Sequence, residues 1–335
     1  MSKDVFFFGA GFSKSLAENY PTLTELSNAI KNAFSEEENA IKYYYEKEIP
    51  TLLHNNIENL LTYLSSNLPY KNPEEKSKDN ALYENIKTKI SNYFFELEKG
   101  STIDTSSFSL VHFAKHIIDK KCTCISLNYD LMLENILFKN STKTYQDSNN
   151  YSVFYKFPIT CLNNRIPDGY GRWASGETDF NKNKMPEIIK LHGSINWLYS
   201  ENNNSNALYM EEGGEEQYLK SDLSHFIIPP TLDKQSQYKN AILCSLWTKA
   251  FDSIQNADRI FIYGFSFPKT DYSVKFLFQS ALKNNKTCKI FVINKQEAIS
   301  DLETTYKEVF PNLVCDYSCC PNDNQISELV KILKI

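Results

Sequence analysis

Small and polar residues stand directly after several strand-like segments of this chain, and these are the residues best suited to chemistry. The first group follows the apolar run 4–8 and comprises Gly9, Ala10, Gly11 and Ser13. A strand, a glycine turn and a helix form the opening of a dinucleotide-binding βα unit. In such a unit the glycines let the backbone approach a pyrophosphate, and the helix N-terminus favours its charge. Ser13 offers a hydroxyl donor to the same anion.

Four later segments also end in residues able to hold or activate a ligand, namely Asn128 and Asp130, His192, Gly264 and Ser266, and Asn294. In a parallel sheet, ligands bind at the carboxyl ends of the strands, so we expect these side chains to share one site. An imidazole titrates near neutrality and suits a general base. Each motif alone is weak. A plain strand-to-helix turn, a turn asparagine at position 128 and a core histidine at position 192 are the structural alternatives.

The hydrophobic pattern predicts the elements that must position these residues. Apolar runs near 4–8, 123–128, 188–191, 259–263 and 289–293 alternate with amphipathic helical patterns. This alternation predicts an α/β fold, a Rossmann-like parallel sheet with helices on both faces.

Residues 23–99 depart from this alternation because they show helical periodicity with many charges. We expect a helical insertion of three or four helices there, with a polar linker over residues 67–79. The predicted domains are therefore a Rossmann-like domain, from 1–22 and 100–335, and a helical insertion subdomain at 23–99.

Composition limits the classes of function. The 335 residues are 41% hydrophobic and 23% charged, with a net charge of −5, which argues against broad nucleic-acid binding. No apolar run is long enough to span a membrane, and the N-terminus is a poor secretory signal. The eight cysteines of so large a chain suggest reduced, buried thiols. We therefore expect a cytoplasmic protein without membrane or direct nucleic-acid partners.

One cluster has residue types that bind metals. His112 and His116 are four apart on a predicted helix, and Cys122 and Cys124 follow closely. The metalloprotease pattern requires a glutamate at position 113, which is Phe113 here. We expect buried thiols and surface histidines at these positions, and no bound metal.

Taken together and in this order, the motifs resemble those of the sirtuin superfamily. More closely, the strings at 127–130, 190–197, 227–230 and 263–271 look like those of sirtuin-like, NAD-consuming effectors of bacterial anti-phage defence. The resemblance extends from Phe6 to Asn294. It implies NAD as substrate and an NAD⁺ glycohydrolase that releases nicotinamide and ADP-ribose. It also implies a role in abortive infection by NAD depletion.

The resemblance also implies roles for individual residues. It assigns Asn128 and Asp130 to the nicotinamide and ribose, and His192 to general base. It implies contacts with the phosphate or the adenosine ribose for Ser266 and Asn294, and it includes Gly264 among the cofactor-binding residues. Glu58 and Asp271 recur in the family's pattern without a clear role.

Two departures from the deacylating sirtuins bear on the reaction. The chain has no C-x-x-C pair, so the zinc ribbon of those enzymes is missing, and so is their arginine-bearing loop. A protein deacylase or ADP-ribosyltransferase is therefore the alternative enzyme. A non-catalytic nucleotide sensor is the third possibility. A free NADase would be lethal and no sensor domain is evident, so the resemblance favours gating by homo-oligomerisation and a HerA-type ATPase partner.

Overall fold

The computed structural model describes residues 3–35, 39–100, 103–141, 151–163, 185–200, 208–212, 223–232, 240–268 and 271–334. Its strands are β1 (Asp4–Phe8), β2 (Thr123–Ser126), β3 (Thr160–Asn163), β4 (Glu187–Lys190), β5 (Gly193–Tyr199), β6 (Tyr209–Glu212), β7 (Ser224–Ile227), β8 (Arg259–Tyr263), β9 (Lys289–Ile293) and β10 (Cys315–Cys319). Its helices are α1 (Ala10–Leu16), α2 (Leu23–Ser35), α3 (Ala40–Lys47), α4 (Ile57–Ser65), α5 (Pro73–Gly100), α6 (Phe108–Lys120), α7 (Met132–Lys139), α8 (Ala241–Gln255), α9 (Tyr272–Ala281), α10 (Ile299–Val309) and α11 (Gln325–Leu333). Short 3₁₀ turns lie at Thr51–Leu53, Tyr151–Phe154 and Gln296–Ala298.

The main sheet of the described residues has six strands in the order β10-β9-β8-β1-β2-β4. Every neighbouring pair in it is parallel. Numbered by their appearance within this sheet and taken from β4 to β10, the strands run 3-2-1-4-5-6. This is the order of doubly wound dinucleotide-binding sheets, whose ligands cross at the point where the order reverses. That point lies between β1 and β8. The prediction of a Rossmann-like parallel sheet is confirmed.

Strand β1 shows why helices cover both faces of the sheet. All of its residues are buried, and successive side chains of a strand point to opposite faces. The ring of Phe6 packs on Phe113 of α6, with ring centroids 5.7 Å apart. The ring of Phe7 packs on Phe278 of α9 at 5.0 Å. Helices α6 and α9 therefore lie on opposite faces, as predicted.

Helix α5, with 28 residues, begins earlier than the sequence suggested. Asn72 accepts a hydrogen bond from the Glu75 amide at 3.0 Å, and the Asn72 amide donates to the Glu75 carboxylate at 2.8 Å. This is a capping box, with Pro73 as the first helical residue. The expected linker over 67–79 is therefore wrong from Pro73 onward, because polar residues around a proline also mark a helix start. Neither α5 nor any other described helix is long and apolar enough to cross a membrane.

The helical segment shares its buried core with the sheet. Ile30 of α2, Leu61 of α4 and Ile90 of α5 belong to the same continuous cluster of buried apolar residues as the strands of the main sheet. The helices expected over 23–99 are present as α2 to α5. The division into a Rossmann-like domain and an insertion subdomain stays a prediction.

A second sheet lies where the sequence showed little regularity. Its described strands have the order β3-β6-β5-β7. Strand β5 pairs antiparallel with β6 and β7, and β3 pairs parallel with β6. The irregular chain expected over 140–186 thus contains strand β3, whereas β4 was predicted from the apolar run 188–191. Strands β5, β6 and β7 and edge strand β10 were also missed. The asparagine-rich stretch 201–206, expected to be a surface turn, lies outside the described residues.

A buried ion-pair network at the amino end of β1 corrects the expectation for one histidine. Asp4 accepts a hydrogen bond from Arg259 Nε at 2.7 Å, and His116 Nε2 lies 3.0 Å from the other Asp4 oxygen. His116, expected at the surface, is buried, and Cys122 lies beside it. The ligand atoms of Asp4, His116 and Cys122 fall within 4.8 Å of one another. Because Arg259 holds both carboxylate oxygens, a metal ion would compete with its guanidinium.

Substituting Asn for Asp4 should lower the free energy of unfolding at pH 7 by about 2 kcal/mol. Burial alone would raise the pKa of Asp4, but hydrogen bonds from His116 and Arg259 lower it to about 2. A lowered folded-state pKa gives stability that is present above the unfolded value near 4 and is lost as the pH falls through 2. Urea unfolding between pH 7 and pH 2 should therefore show the wild-type advantage shrinking below pH 4. The exposed Asp119→Asn on α6 is the matched control, and an equal loss in both variants contradicts this account.

Candidate functional site

The predicted site residues follow strands of the main sheet at one edge. Backbone hydrogen bonds continue the parallel pairing past the strand ends, from Gly9 N to Tyr263 O at 2.9 Å, Leu127 N to Phe8 O at 3.0 Å, Leu191 N to Ser126 O at 3.0 Å and Gly264 N to Ile293 O at 2.9 Å. Asn128, His192 and Asn294 are the next residues along the chain. The carboxyl edge therefore carries residues from all the predicted motifs.

Two glycine turns meet where the strand order reverses. The Gly11 amide donates to the Gly264 carbonyl at 2.9 Å. A Cβ added to Gly9 would lie 2.6 Å from the Gly264 oxygen, and one added to Gly11 would lie 2.7 Å from the Gly264 Cα. Gly264 itself has φ of +66°, a conformation that favours glycine. The glycines are thus required for packing one turn against the other. This packing role is separate from the expected one of letting the backbone approach a pyrophosphate.

Three buried polar side chains form a chain of hydrogen bonds beside these turns. Asn128 Nδ2 donates to the Gly9 carbonyl at 3.0 Å and to Ser13 Oγ at 3.1 Å. Ser13 Oγ in turn donates to Asp130 Oδ2 at 2.8 Å, and the Met132 amide donates to Asp130 Oδ1 at 3.1 Å. The hydroxyl proton expected to face an anion is directed to Asp130 instead. The arrangement fixes the orientation of both the amide and the carboxylate.

A pocket of about 130 Å³ opens onto this chain of hydrogen bonds. Among the predicted site residues, its described lining contains Ala10, Ser13, Asn128 and Asp130. The other walls come from the segment after α1 and from the helical segment, including Tyr20, Leu23, Leu26 and Phe94. A largely apolar pocket with a few convergent polar groups is the usual form of a small-molecule site.

His192 is held next to this pocket without being among its described lining residues. The side chain is buried, and the His192 carbonyl accepts from the Ile228 amide at 2.9 Å. Three residues further on, the Ile195 amide donates to the Tyr129 carbonyl at 3.1 Å. Backbone hydrogen bonds thus fix the segment that carries His192 against the turn that carries Asn128 and Asp130.

The remaining predicted residues lie farther along the same edge. Ser266 is exposed, and Asn294 is half-buried with its side-chain oxygen accepting from the Lys295 amide at 2.9 Å. The turn at 264–266 is anchored by Tyr306, whose hydroxyl donates to the Phe265 carbonyl at 2.7 Å. Within the described residues, neither Ser266 nor Asn294 lines the pocket around Asn128.

Glu58 and Asp271, which had no assigned role, are both buried and close to Tyr129. Burial is the largest cause that raises the pKa of the Tyr129 hydroxyl, and the charges of Asp271 and Glu58 contribute to it. Glu58 belongs to the helical segment and Asp271 precedes α9. The structure therefore brings both to the turn that contains Asn128 and Asp130.

A buried lysine supports this turn from the opposite side. Lys190 Nζ donates to the Asp130 carbonyl and lies 3.2 Å from Glu134, with both side chains 1% exposed. The Tyr155 hydroxyl donates to the same Glu134 oxygen at 2.9 Å. Burial raises the pKa of the Asp130 carboxyl, and the Lys190 charge opposes that rise. Lys190 therefore favours the ionised form of Asp130.

Comparisons with known proteins give similarity only at the level of structure. No protein-family model matches the chain, and no curated protein matches it. A Sir2 homologue in complex with NAD aligns over 99% of this chain and 88% of its own length, at 13% identity and a TM-score of 0.44. A Sir2 homologue variant in complex with ADP-ribose aligns over 99% and 93%, at 12% identity and a TM-score of 0.42. The fold follows from the strand order above, and no activity follows from these similarities.

Sequence reasoning missed the residues that surround the predicted ones. Glu98, Tyr20 and Phe94 lie in or beside the helical segment, and no local pattern linked them to a turn 30 or more positions away. Lys190 did carry a signal, because a lysine at the end of an apolar strand must find a partner when it is buried. That partner, Glu134, becomes apparent only in the folded chain.

Proposed function

We propose that this protein is an NAD⁺ glycohydrolase that cleaves NAD⁺ to nicotinamide and ADP-ribose. The observation that carries the proposal is the buried hydrogen-bonded chain of Asn128, Ser13 and Asp130 in a pocket at the carboxyl edge. It lies beside the reversal of a 3-2-1-4-5-6 strand order, the position at which sheets of this order bind dinucleotides.

The chemistry of the substrate matches a buried carboxylate. Nicotinamide is attached to ribose as a cation, so the C1′–N bond breaks with its electron pair going to nicotinamide, which leaves neutral. Positive charge then develops on the ribose as an oxocarbenium ion. A carboxylate fixed in a site with little water stabilises such charge more strongly than it would in water. We assign that role to Asp130, whose buried side chain lines the pocket.

Asn128 and His192 supply the remaining functions. Asn128 orients the carboxamide and the attacking water, whose oxygen forms the new bond to C1′. His192 accepts the proton of that water or of a ribose hydroxyl, as a base with a pKa near neutrality can. The closely packed turns at Gly9, Gly11 and Gly264 hold the pyrophosphate. Ser266 and Asn294, on the β8–β9 side, hold the adenosine half.

The biological setting is proposed from the resemblance of the motifs alone. We place the enzyme in the bacterial cytoplasm as an effector of anti-phage defence that depletes NAD and aborts infection. Because unregulated NAD hydrolysis kills the host, activity is gated by homo-oligomerisation and by a HerA-type ATPase. No metal takes part in the proposed reaction.

The test is nicotinamide release from NAD by the purified protein, alone and with its ATPase. His192→Ala and Asn128→Ala should each lower the rate by about 100-fold or more, the usual contribution of a positioned acid–base or orienting group. His112→Ala is the matched control and should leave the rate unchanged, because the His112 ring lies against the exposed ring of Phe108 on α6.

Three results would contradict the proposal. The first is a wild-type protein that releases no nicotinamide either alone or with the ATPase. The second is release that requires an acylated peptide, which would indicate a deacylase. The third is tight NAD binding without turnover, which would indicate a sensor.

A further inference from the structure

The carboxylate of Glu98 connects three segments of chain beside the candidate site. Glu98 Oε1 accepts from the Leu131 amide at 2.8 Å and from the Tyr20 hydroxyl at 3.0 Å. Its other oxygen, Oε2, accepts from Asn135 Nδ2 at 3.1 Å. One side chain of helix α5 thus binds the segment after α1, the residue that precedes α7 and the first turn of α7.

These contacts lie immediately beside the proposed catalytic turn. Leu131 follows Asp130 directly and is the N-cap of α7, a position where a helix leaves amides without partners in its own backbone. The Leu131 amide is one of these, and Glu98 accepts its hydrogen bond from outside the helix. Tyr20, held by the same carboxylate, lines the pocket.

We propose that Glu98 is a positioning residue of the candidate site, through which the helical segment fixes the turn carrying Asn128 and Asp130 and the Tyr20 wall of the pocket. Its effect on turnover rests on the proposed function. Its effect on the turn does not, because the contacts that carry it are present without substrate.

The charge of Glu98 is set by groups on every element around it. Burial and the nearby Asp130 raise the pKa of Glu98 to about 7, against hydrogen bonds from Leu131 and Tyr20 that lower it. Glu134 on α7 also raises it, and burial together with the Glu98 charge raises the pKa of the neighbouring Tyr151. The positive charge of Lys190 is paired with Glu134. The carboxylate therefore gains a proton as the pH falls through about 7, and a neutral carboxyl is the weaker acceptor.

The direction in which the stability of the fold changes with pH separates this local effect from global unfolding. A carboxyl whose folded-state pKa exceeds its unfolded value binds more protons when folded, so between those values its contribution to stability decreases as the pH rises. For Glu98, lowering the pH therefore favours folding while weakening the bond to the Leu131 amide. If the hydrogen bond to the Leu131 amide weakens at low pH, the titration of Glu98 has not caused this by destabilising the whole fold.

Hydrogen exchange at single amides tests the proposal on the full chain. Protection of the Leu131 amide, corrected for intrinsic exchange and normalised to the Ile262 amide in β8, should fall by about tenfold from pH 8 to pH 6 in the wild type. Glu98→Gln should retain an acceptor and show no pH dependence, and Glu98→Ala should be weakly protected at both pH values. Glu96→Gln is the matched control, because Glu96 lies on the same helix and pairs only with exposed Lys99 among the described residues.

The proposal is overturned if Glu98→Ala protects Leu131 as well as the wild type does, or if Glu98→Gln keeps the wild-type pH dependence. Nicotinamide release provides the second readout. Its pH–rate profile between pH 6 and pH 8 should be flatter in Glu98→Gln than in the wild type, and unchanged in Glu96→Gln. A wild type that releases no nicotinamide would refute the proposed function alone, because the exchange result still decides the role of Glu98.

Discussion

Gly264→Ala will lower the free energy of unfolding by about 3 kcal/mol or more, from added backbone strain and overpacking. The new Cβ would lie 2.2 Å from the Phe12 nitrogen and 2.3 Å from the Gly11 carbonyl carbon. Both are backbone atoms of a hydrogen-bonded turn, so no flexible side chain can move aside. The φ of +66° adds the strain of a left-handed conformation. Urea unfolding measured by circular dichroism gives the loss directly.

Gly100→Ala provides the matched control for this substitution. Gly100 ends α5, and a Cβ placed there meets no atom within 4 Å. Alanine also has the higher helix propensity, so the control should change stability by less than about 1 kcal/mol. If Gly264→Ala unfolds at the same urea concentration as Gly100→Ala, the two glycine turns do not pack as the structure shows.

Lys190→Met should destabilise the fold by about 3–5 kcal/mol at pH 7, the usual result of removing one partner of a buried ion pair. Glu134 would lose its buried cationic partner, and among the described residues the Tyr155 hydroxyl would remain as its hydrogen-bond donor. The carbonyl of Asp130 would lose the Lys190 ammonium as well. The measurement is again urea unfolding, with the pH profile of nicotinamide release as a second readout. Because Lys190 lowers the pKa of Asp130, the acid side of that profile should move to higher pH.

Two further variants make this result specific. Lys249 pairs with Glu187 of the same strand β4 at 2.9 Å, but its side chain is 33% exposed. Lys249→Met should therefore cost less than about 1 kcal/mol. Combining Lys190→Met with Glu134→Leu should recover much of the stability, because no charge is then left buried alone. A Lys190→Met variant as stable as Lys249→Met would refute the account.

The sequence by itself determined where five of the six described strands of the main sheet lie and which residues follow them. The apolar runs that became β1, β2, β4, β8 and β9 are local signals, as are the glycine and polar residues that end them. Local periodicity also located most helices to within a few residues. Edge strand β10 escaped because its half-exposed Cys-Asp-Tyr-Ser-Cys pattern contains too little apolar sequence to stand out.

Only the tertiary structure decided which of these residues meet. Gly9 and Gly264 contact each other because β1 pairs with β8, about 250 positions later, and no local pattern specifies that pairing. The same holds for His116, which the sequence placed at the surface and the fold pairs with Asp4. Glu98 carries no local signal, and the sequence around Lys190 shows that it needs a partner but not which one. The raised pKa of Glu98, the influence of Lys190 on the pKa of Asp130 and the contacts of both residues with the segment 128–131 all depend on burial and on partners distant in sequence. These exist only once the chain has folded.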